Sequence, residues 1–229
     1  MRAARAATLV TTSPSLRRIV LATKNRGKVR ELEALLQEPR IALVSLDEVA
    51  PPDFDVAETG DTFEENARLK AEAVAKLTGL PALADDSGLV VDALGGRPGV
   101  YSKRFAGETA TDQDNNARLL EELQGVPDAA RAARFVCVLV LAEPSSAEES
   151  ESSGVARPLL VARGVCEGRI ARVARGSHGF GYDPLFLVDA LPGRTLAEAL
   201  PSEKNAVSHR ARAARVLAAR LTEWLATRA

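Results

Sequence analysis

Apolar positions along this chain follow two rhythms that trade places several times. Ile19 to Ala22 form a short apolar run that predicts a first strand. The run stops at Thr23–Lys28 (TKNRGK), and Val29, Leu32, Leu35 and Leu36 then recur at helical spacing, predicting a helix through Leu36. Ile41–Ser45 predicts a second strand, and Pro51 and Pro52 with the acids after them a loop. Phe63, Ala67, Ala71, Val74 and Leu77 make the apolar stripe of a helix over about residues 62–77, with Glu65, Arg68, Glu72 and Lys76 on its wet face. Strand-like runs at Pro81–Ala84 and Leu89–Val91 flank Ala84–Gly88 (ADDSG), which reads as a turn, and Gly95–Gly99 (GGRPG) reads as a loop. A helix over Asp112–Leu123, closed by Gly125 and Pro127, precedes a long strand over Phe135–Ala142. Leu159–Val165 and Arg169–Val173 are candidate neighbours of that strand, and a last helix runs over Asn205–Ala226. Strands alternate with helices early and cluster in the middle, the pattern of an α/β fold with a mixed sheet.

Composition narrows the classes of function. With 229 residues, 46% of them apolar, the chain can bury a sizeable core. Thirty basic residues against thirty-one acidic ones give a net charge of -1, so no basic excess points to nucleic acid or an anionic membrane. No apolar run approaches the ~20 residues of a membrane span. Two histidines and two cysteines argue against most zinc sites, and abundant Asp and Glu make a hard, oxygen-liganded ion such as magnesium the expected metal. Cys137 and Cys166 lie in apolar runs and read as buried, reduced thiols of a cytoplasmic protein. Residues 1–17 carry Arg, Ala, Ser and Thr and no acid, a composition that a transit peptide shares, although so short a stretch reads better as a plain tail. Residues 18–229 read as one domain, interrupted by a solvated, Ser- and Glu-rich insertion at Glu143–Pro158.

Five segments carry candidate chemistry. TKNRGK joins a strand end to a helix start, where backbone amides and the helix dipole favour phosphate, and Lys24, Arg26 and Lys28 add charge; a plain polar turn is the alternative. In ADDSG, adjacent Asp85 and Asp86 repel unless a cation or donor compensates them. Lys70 falls inside the apolar stripe of its helix, one turn beyond Asn66, and either snorkels to water or aims an ammonium into a cleft that Glu58 of Glu58–Asp61 (ETGD) could share. Lys204, His209 and Arg210 crowd the entrance of the last helix, the dipole end where cations need an anion or electron-rich acceptor. Gly179–Pro184 (GFGYDP) sets two aromatics among glycines, either a stacking platform for a planar ligand or a hairpin packed by its own rings.

In this order, TKNRGK, ETGDTFEENARLKA, ADDSGLVVDALGGRPGVYSKRFAG, GFGYDPLF and EKNAVSHRA resemble the inosine triphosphate pyrophosphatase family over about Ile19–Leu225. The tail and the insertion lie outside that pattern. The resemblance implies an elongated, twisted mixed sheet with flanking helices, two lobes around a central cleft, and a homodimer. It implies magnesium-dependent hydrolysis of ITP, dITP and XTP, in preference to ATP and GTP, to the monophosphate and pyrophosphate. Asp86 would be the general base and a metal ligand, Glu58 a second metal ligand, and Asp85 a further candidate. Lys28, Lys70 and the backbone of Thr23–Asn25, within a motif that includes Lys24, Arg26 and Gly27, would hold the triphosphate, with Ser87 beside the base. Phe180 would stack on the purine, Gly181, Tyr182 and Asp183 would shape its pocket, and Lys204, His209 and Arg210 would read its edge. As donors only, Lys and Arg suit a 6-oxo group better than the 6-amino group of adenine. A pyrophosphatase for other modified nucleotides, or a nucleotide sensor without catalysis, would share most of these features.

Overall fold

The computed structural model describes residues 16–144 and 160–227. Residues 1–15 of the expected N-terminal tail and most of the expected insertion at 143–158 lie outside the described residues, whereas Arg17, the last residue of that tail, begins the first strand. Among the described residues, six strands form one mixed sheet in the order β2-β1-β3-β4-β5-β6: β1 (Arg17–Leu21), β2 (Ile41–Ser45), β3 (Ala82–Val91), β4 (Ala132–Ala142), β5 (Leu160–Ile170) and β6 (Phe186–Val188). β1 runs parallel to β2 and β3, and every later pairing is antiparallel. The α/β expectation holds.

Helices cover both faces. On one face α1 (Arg26–Leu35) and α5 (His209–Ala226) bury Leu32, Ala213, Ala214, Leu217 and Leu221 against Ile19, Leu21, Leu83, Cys137 and Leu139. On the other, α2 (Phe63–Thr78) buries Ala67, Ala71, Val74 and Ala75 against Val20, Ala82, Ala84, Val136, Val138 and Val140. Small residues on α2 let it approach closely, and the capping box of Thr62 and Glu65 with left-handed Gly79 at its end sets its limits. A third cluster, built from α3 (Asp112–Glu122), Phe135, Tyr182, Leu185 and Phe186, fills the far end of the sheet. The short α4 (Pro201–Val207) precedes α5.

Three expectations are corrected. ADDSG is not a turn: β3 runs through it, paired to β4 without interruption from Ala82↔Ala142 to Val91↔Ala133. Leu160–Ile170 is one strand rather than part of two, and three-residue β6 was too short to leave a periodic signal. The last helix is broken at Ser208, whose hydroxyl caps α5 by accepting from the Ala211 amide. Lys204 therefore lies in the last turn of α4, where a cation suits the dipole, while His209 and Arg210 open α5.

α5 packs across β5 at Gly164. A Cβ there would stand 2.2 Å from the His209 carbonyl oxygen and 2.3 Å from the Ala213 nitrogen. Beyond the residues that β6 pairs, Arg212 and Arg220 of α5 donate to the carbonyls of Val165 and Val161, occupying acceptors that an edge strand would otherwise offer. Gly164→Ala should therefore push the start of α5 off the sheet and cost about 2 kcal/mol. Urea unfolding of the variant reads that loss directly, and an unchanged midpoint would refute the close approach.

Candidate active site

The continuity of β3 explains how two adjacent carboxylates coexist. Successive side chains on a strand point to opposite faces, so Asp85 faces α1 and α5 while Asp86 faces α2. Asp85 is buried and engaged on both oxygens: Lys28 Nζ lies 2.7 Å from Oδ1, Arg210 Nε 2.6 Å from Oδ2, and the Ser87 hydroxyl donates to Oδ1 at 2.6 Å. Asp86 meets Lys70 Nζ at 2.6 Å. The same ammonium lies 3.1 Å from Glu58 Oε1, and Arg104 stands 3.5 Å from the other Glu58 oxygen.

The two aspartates are tuned apart. Burial pushes the Asp85 carboxyl up, but Arg210 and Lys28 outweigh it and hold the group well below the usual range. Burial also pushes Asp86 up, and there Lys70 and Lys28 do not compensate fully, so its pKa is raised. For Glu58, burial is outweighed by Lys70, with Lys28 and Arg104 assisting, and the pKa is lowered. Lys70 stays protonated, because Asp86 and Glu58 overcome its desolvation. One strand thus carries an aspartate held well below the usual carboxylate range beside one pushed above it.

The expected phosphate loop is partly rearranged. Asn25 caps α1, and its Oδ1 accepts from the amides of Gly27 at 2.8 Å and Lys28 at 3.2 Å. Two amides at the start of this helix are therefore already engaged. Thr23 supports this cap by accepting from the Asn25 amide. Lys24 donates to the Pro52 carbonyl, and Arg26 lines a shallower neighbouring groove with Arg30 and Asp47 rather than the main cavity. Lys28 reaches the centre, and the carbonyl of Asp85 accepts from both Lys28, at 3.1 Å, and Lys70, at 3.4 Å. Two ammonium groups thus converge on one point of β3.

At the other end, Phe180 lies against Gly27, where a Cβ would stand 2.6 Å from the ring. Lys204 Nζ and the Arg210 guanidinium stand 4.8 Å and 5.7 Å from the centre of the Phe180 ring. Lys204 is also 2.6 Å from Asp183 Oδ2, which in turn accepts from the Phe180 amide. Glu31 of α1 joins this end to the centre, bonding Lys204 at 2.7 Å and Arg210 Nη1. Sequence reasoning missed Glu31, which occurs three residues after Lys28 on a helix where it and Glu33 both look solvated. The cations expected to await an anion are thus met by Asp183, Glu31 and Asp85.

Two aromatic expectations separate. Tyr182 is buried, and its hydroxyl donates to the Ser102 carbonyl at 2.8 Å, so only Phe180 stands among the cations. His209 is buried with its ring stacked on Phe135 at 4.7 Å, and its Nδ1 has no partner. Burial first, then Arg210, drives its pKa well below the ordinary histidine value, so the imidazole is neutral.

A cavity of about 670 Å³ connects these groups, lined by Lys28, Glu58, Lys70, Asp86, Phe180 and Arg210 among others. That volume suits a nucleotide-sized ligand. Among the described residues no group of three or more His, Cys, Asp or Glu forms a ready-made metal cage. Glu58 and Asp86 nevertheless turn carboxylate oxygens toward one ammonium, a hard donor pair of the kind magnesium uses together with substrate phosphate. Both oxygens of Asp85 are already committed to cations, so it does not extend this pair.

The Ham1 family profile matches residues 19–220. The chain is 52% identical over 198 residues to a dITP/XTP pyrophosphatase of Geobacillus kaustophilus, covering 86% of this chain and 91% of that one. It is 51% identical over 205 residues to a dITP/XTP pyrophosphatase of Shigella flexneri, covering 88% and 96% respectively. A solved HAM1 protein from Coxiella burnetii superposes with a TM-score of 0.77 at 46% identity, over 91% of this chain and all of that one. The match spans nearly all described elements of the sheet and the helices that carry the site, and this chain belongs to the Ham1 family.

Proposed function

We propose that this chain is a nucleoside triphosphate pyrophosphatase that removes ITP, dITP and XTP from the nucleotide pool. One water adds across the anhydride between the α and β phosphates, releasing the nucleoside monophosphate and pyrophosphate. The observation that carries this reading is the pair of aspartates tuned apart on β3, one of them facing Lys70 and Glu58 inside a nucleotide-sized cavity. Its support from outside is the naming of the relatives above.

In this mechanism Lys28 and Lys70 bind the triphosphate. Asp86, released from Lys70 as that ammonium turns to phosphate, accepts the proton of the attacking water. Asp85 stays ionised and holds Lys28 and Arg210 in place. Glu58 and Asp86 would hold magnesium, which when bound offsets charge on the phosphoryl oxygens. Phe180 stacks on the purine. Lys204 and Arg210 offer donors to a 6-oxo group, and the 6-amino group of adenine would leave them unpaired; such a mismatch can be worth several orders of magnitude. Ser87 lines the cavity beside the base, where it can meet substrate, and its hydroxyl donates to Asp85. The homodimer and the cytoplasmic location belong to the same reading, and a near-neutral net charge of -1 fits a small-molecule substrate rather than nucleic acid.

With magnesium present, pyrophosphate release should be faster from ITP and XTP than from ATP, GTP and TTP by about two orders of magnitude. Uniformly slow release from all five would leave the phosphate machinery standing and remove the base-reading role. Asp86→Asn should lower kcat by at least about 10³-fold while ITP still binds, as titration calorimetry would record. Full turnover in that variant would take Asp86 out of the mechanism.

The pH profile supplies an independent check. Asp86 must be ionised to act, and its raised pKa places the acid limb of kcat/KM above the ordinary aspartate value of 3.8. Lys70 lowers the Asp86 pKa, so Lys70→Gln should move the limb of the residual activity to higher pH. A limb that moves down, or stays, would separate Lys70 from the titrating group.

A further inference from the structure

We propose that α3 is a clamp that positions Phe180, with Asp112 and Asn116 gripping the backbone of Gly181 from its two sides. The inference rests on the stacking role given to Phe180 above. Phe180 stands between Gly179 and Gly181, at φ 81° and 61°, so the segment has little conformational preference of its own. Residues 172–179 before it are exposed throughout. An aromatic on such a segment stacks well only if its backbone is held.

The hold comes from one helix. The Gly181 amide donates to Asp112 Oδ2 at 2.6 Å, and the Gly181 carbonyl accepts from Asn116 Nδ2 at 2.9 Å. Asp112 and Asn116 are four residues apart and share one face of α3. Thr111 and Asp114 already form the capping box of this helix, which leaves the Asp112 carboxylate for the loop. α3 is anchored in turn, since Asn115 accepts from the Ala106 amide and donates to the Lys103 carbonyl. Those bonds tie it to the segment whose Ser102 carbonyl receives the Tyr182 hydroxyl. Asp183 fixes the peptide before Phe180 through its amide, and Asp112 fixes the one after it. Together they set both backbone torsions of Phe180. Asp112 and Asn116 are thus positioning residues, acting through Phe180 on nucleotide affinity rather than on the chemical step.

The test combines steady-state kinetics on ITP with amide hydrogen exchange of the nucleotide-free protein. Asp112→Ala should raise KM about tenfold and Asn116→Ala about fivefold, with kcat within about twofold. Exchange at Gly181 should quicken in both variants. Asp112→Asn, which keeps an acceptor, should recover most of the loss. In a Phe180→Ala background Asp112→Ala should add less than about twofold. Asn116→Ala guards against a mere loss of helix stability, since Asn116 takes no part in the cap. A neutral Asp112→Ala beside a costly Phe180→Ala overturns the clamp alone. An effect of Asp112→Ala that multiplies fully with Phe180→Ala overturns it too, and would make Asp112 a direct substrate contact. A neutral Phe180→Ala overturns the stacking reading and the clamp together.

Discussion

Two adjacent aspartates on a central strand that is paired to β4 along its whole length are the constraint on which the rest of this site depends. A strand must send Asp85 and Asp86 to opposite faces, and each face is otherwise apolar core. Each carboxylate then requires its own cations, because an unpaired buried charge costs several kcal/mol. The α1 and α5 side supplies Lys28 and Arg210, and the α2 side supplies Lys70. The helices are therefore tied to the sheet by charge as well as by packing. The different richness of the two sets of partners separates the pKa values.

The same pairing explains how so many charges survive inside a protein. A continuous path runs from Asp183 through Lys204, Glu31 and Arg210 to Asp85 and Lys28, and a second path links Glu58, Lys70 and Asp86. Neither path would be cheap to break at a single member. Within the proposed function this arrangement serves as a stand-in for the ligand. Carboxylates satisfy the ammonium groups until phosphate takes them over, and the exchange of Lys70 from Asp86 to phosphate frees the base at the moment it is needed.

Much of this was legible in the sequence because the rule-breaking residues stood out against a regular background. Lys70 interrupts an apolar stripe, and it does face a cavity. Lys204 and Arg210 read as uncomfortable cations, and each is buried among carboxylates. ADDSG was misread because Asp, Ser and Gly favour turns locally, and only the distant partners Lys28, Lys70 and Arg210 make an extended backbone affordable there. Gly88 compounds the illusion: it serves close approach, since a Cβ would stand 2.4 Å from the Gly99 carbonyl oxygen, and no turn is needed. Glu31 and Asp112 gave no signal at all, since an exposed-looking acid on an amphipathic helix is the commonest thing a sequence contains. Their meaning lies in residues 179 and 69 positions away.

The two ends of the cavity are built on different principles. Within the proposed function, the phosphate end stands on regular elements, with Asp86 in a central strand, Lys70 within a long capped helix and Lys28 near the start of another. Such placement fixes atoms to within the tolerance of a paired strand, which proton transfer demands. The base end stands on a glycine-flanked aromatic and on the junction at Ser208 between α4 and α5. Recognition of a planar base tolerates more play than proton transfer, but only if that play is bounded from outside the segment. The bounds come from α3 through Gly181 and from α4 through Lys204 and Asp183, and neither helix places a side chain on Asp86 or Lys70. Within the proposed function, substitutions on α3 should therefore alter how tightly the base is held while leaving the chemistry of the anhydride intact.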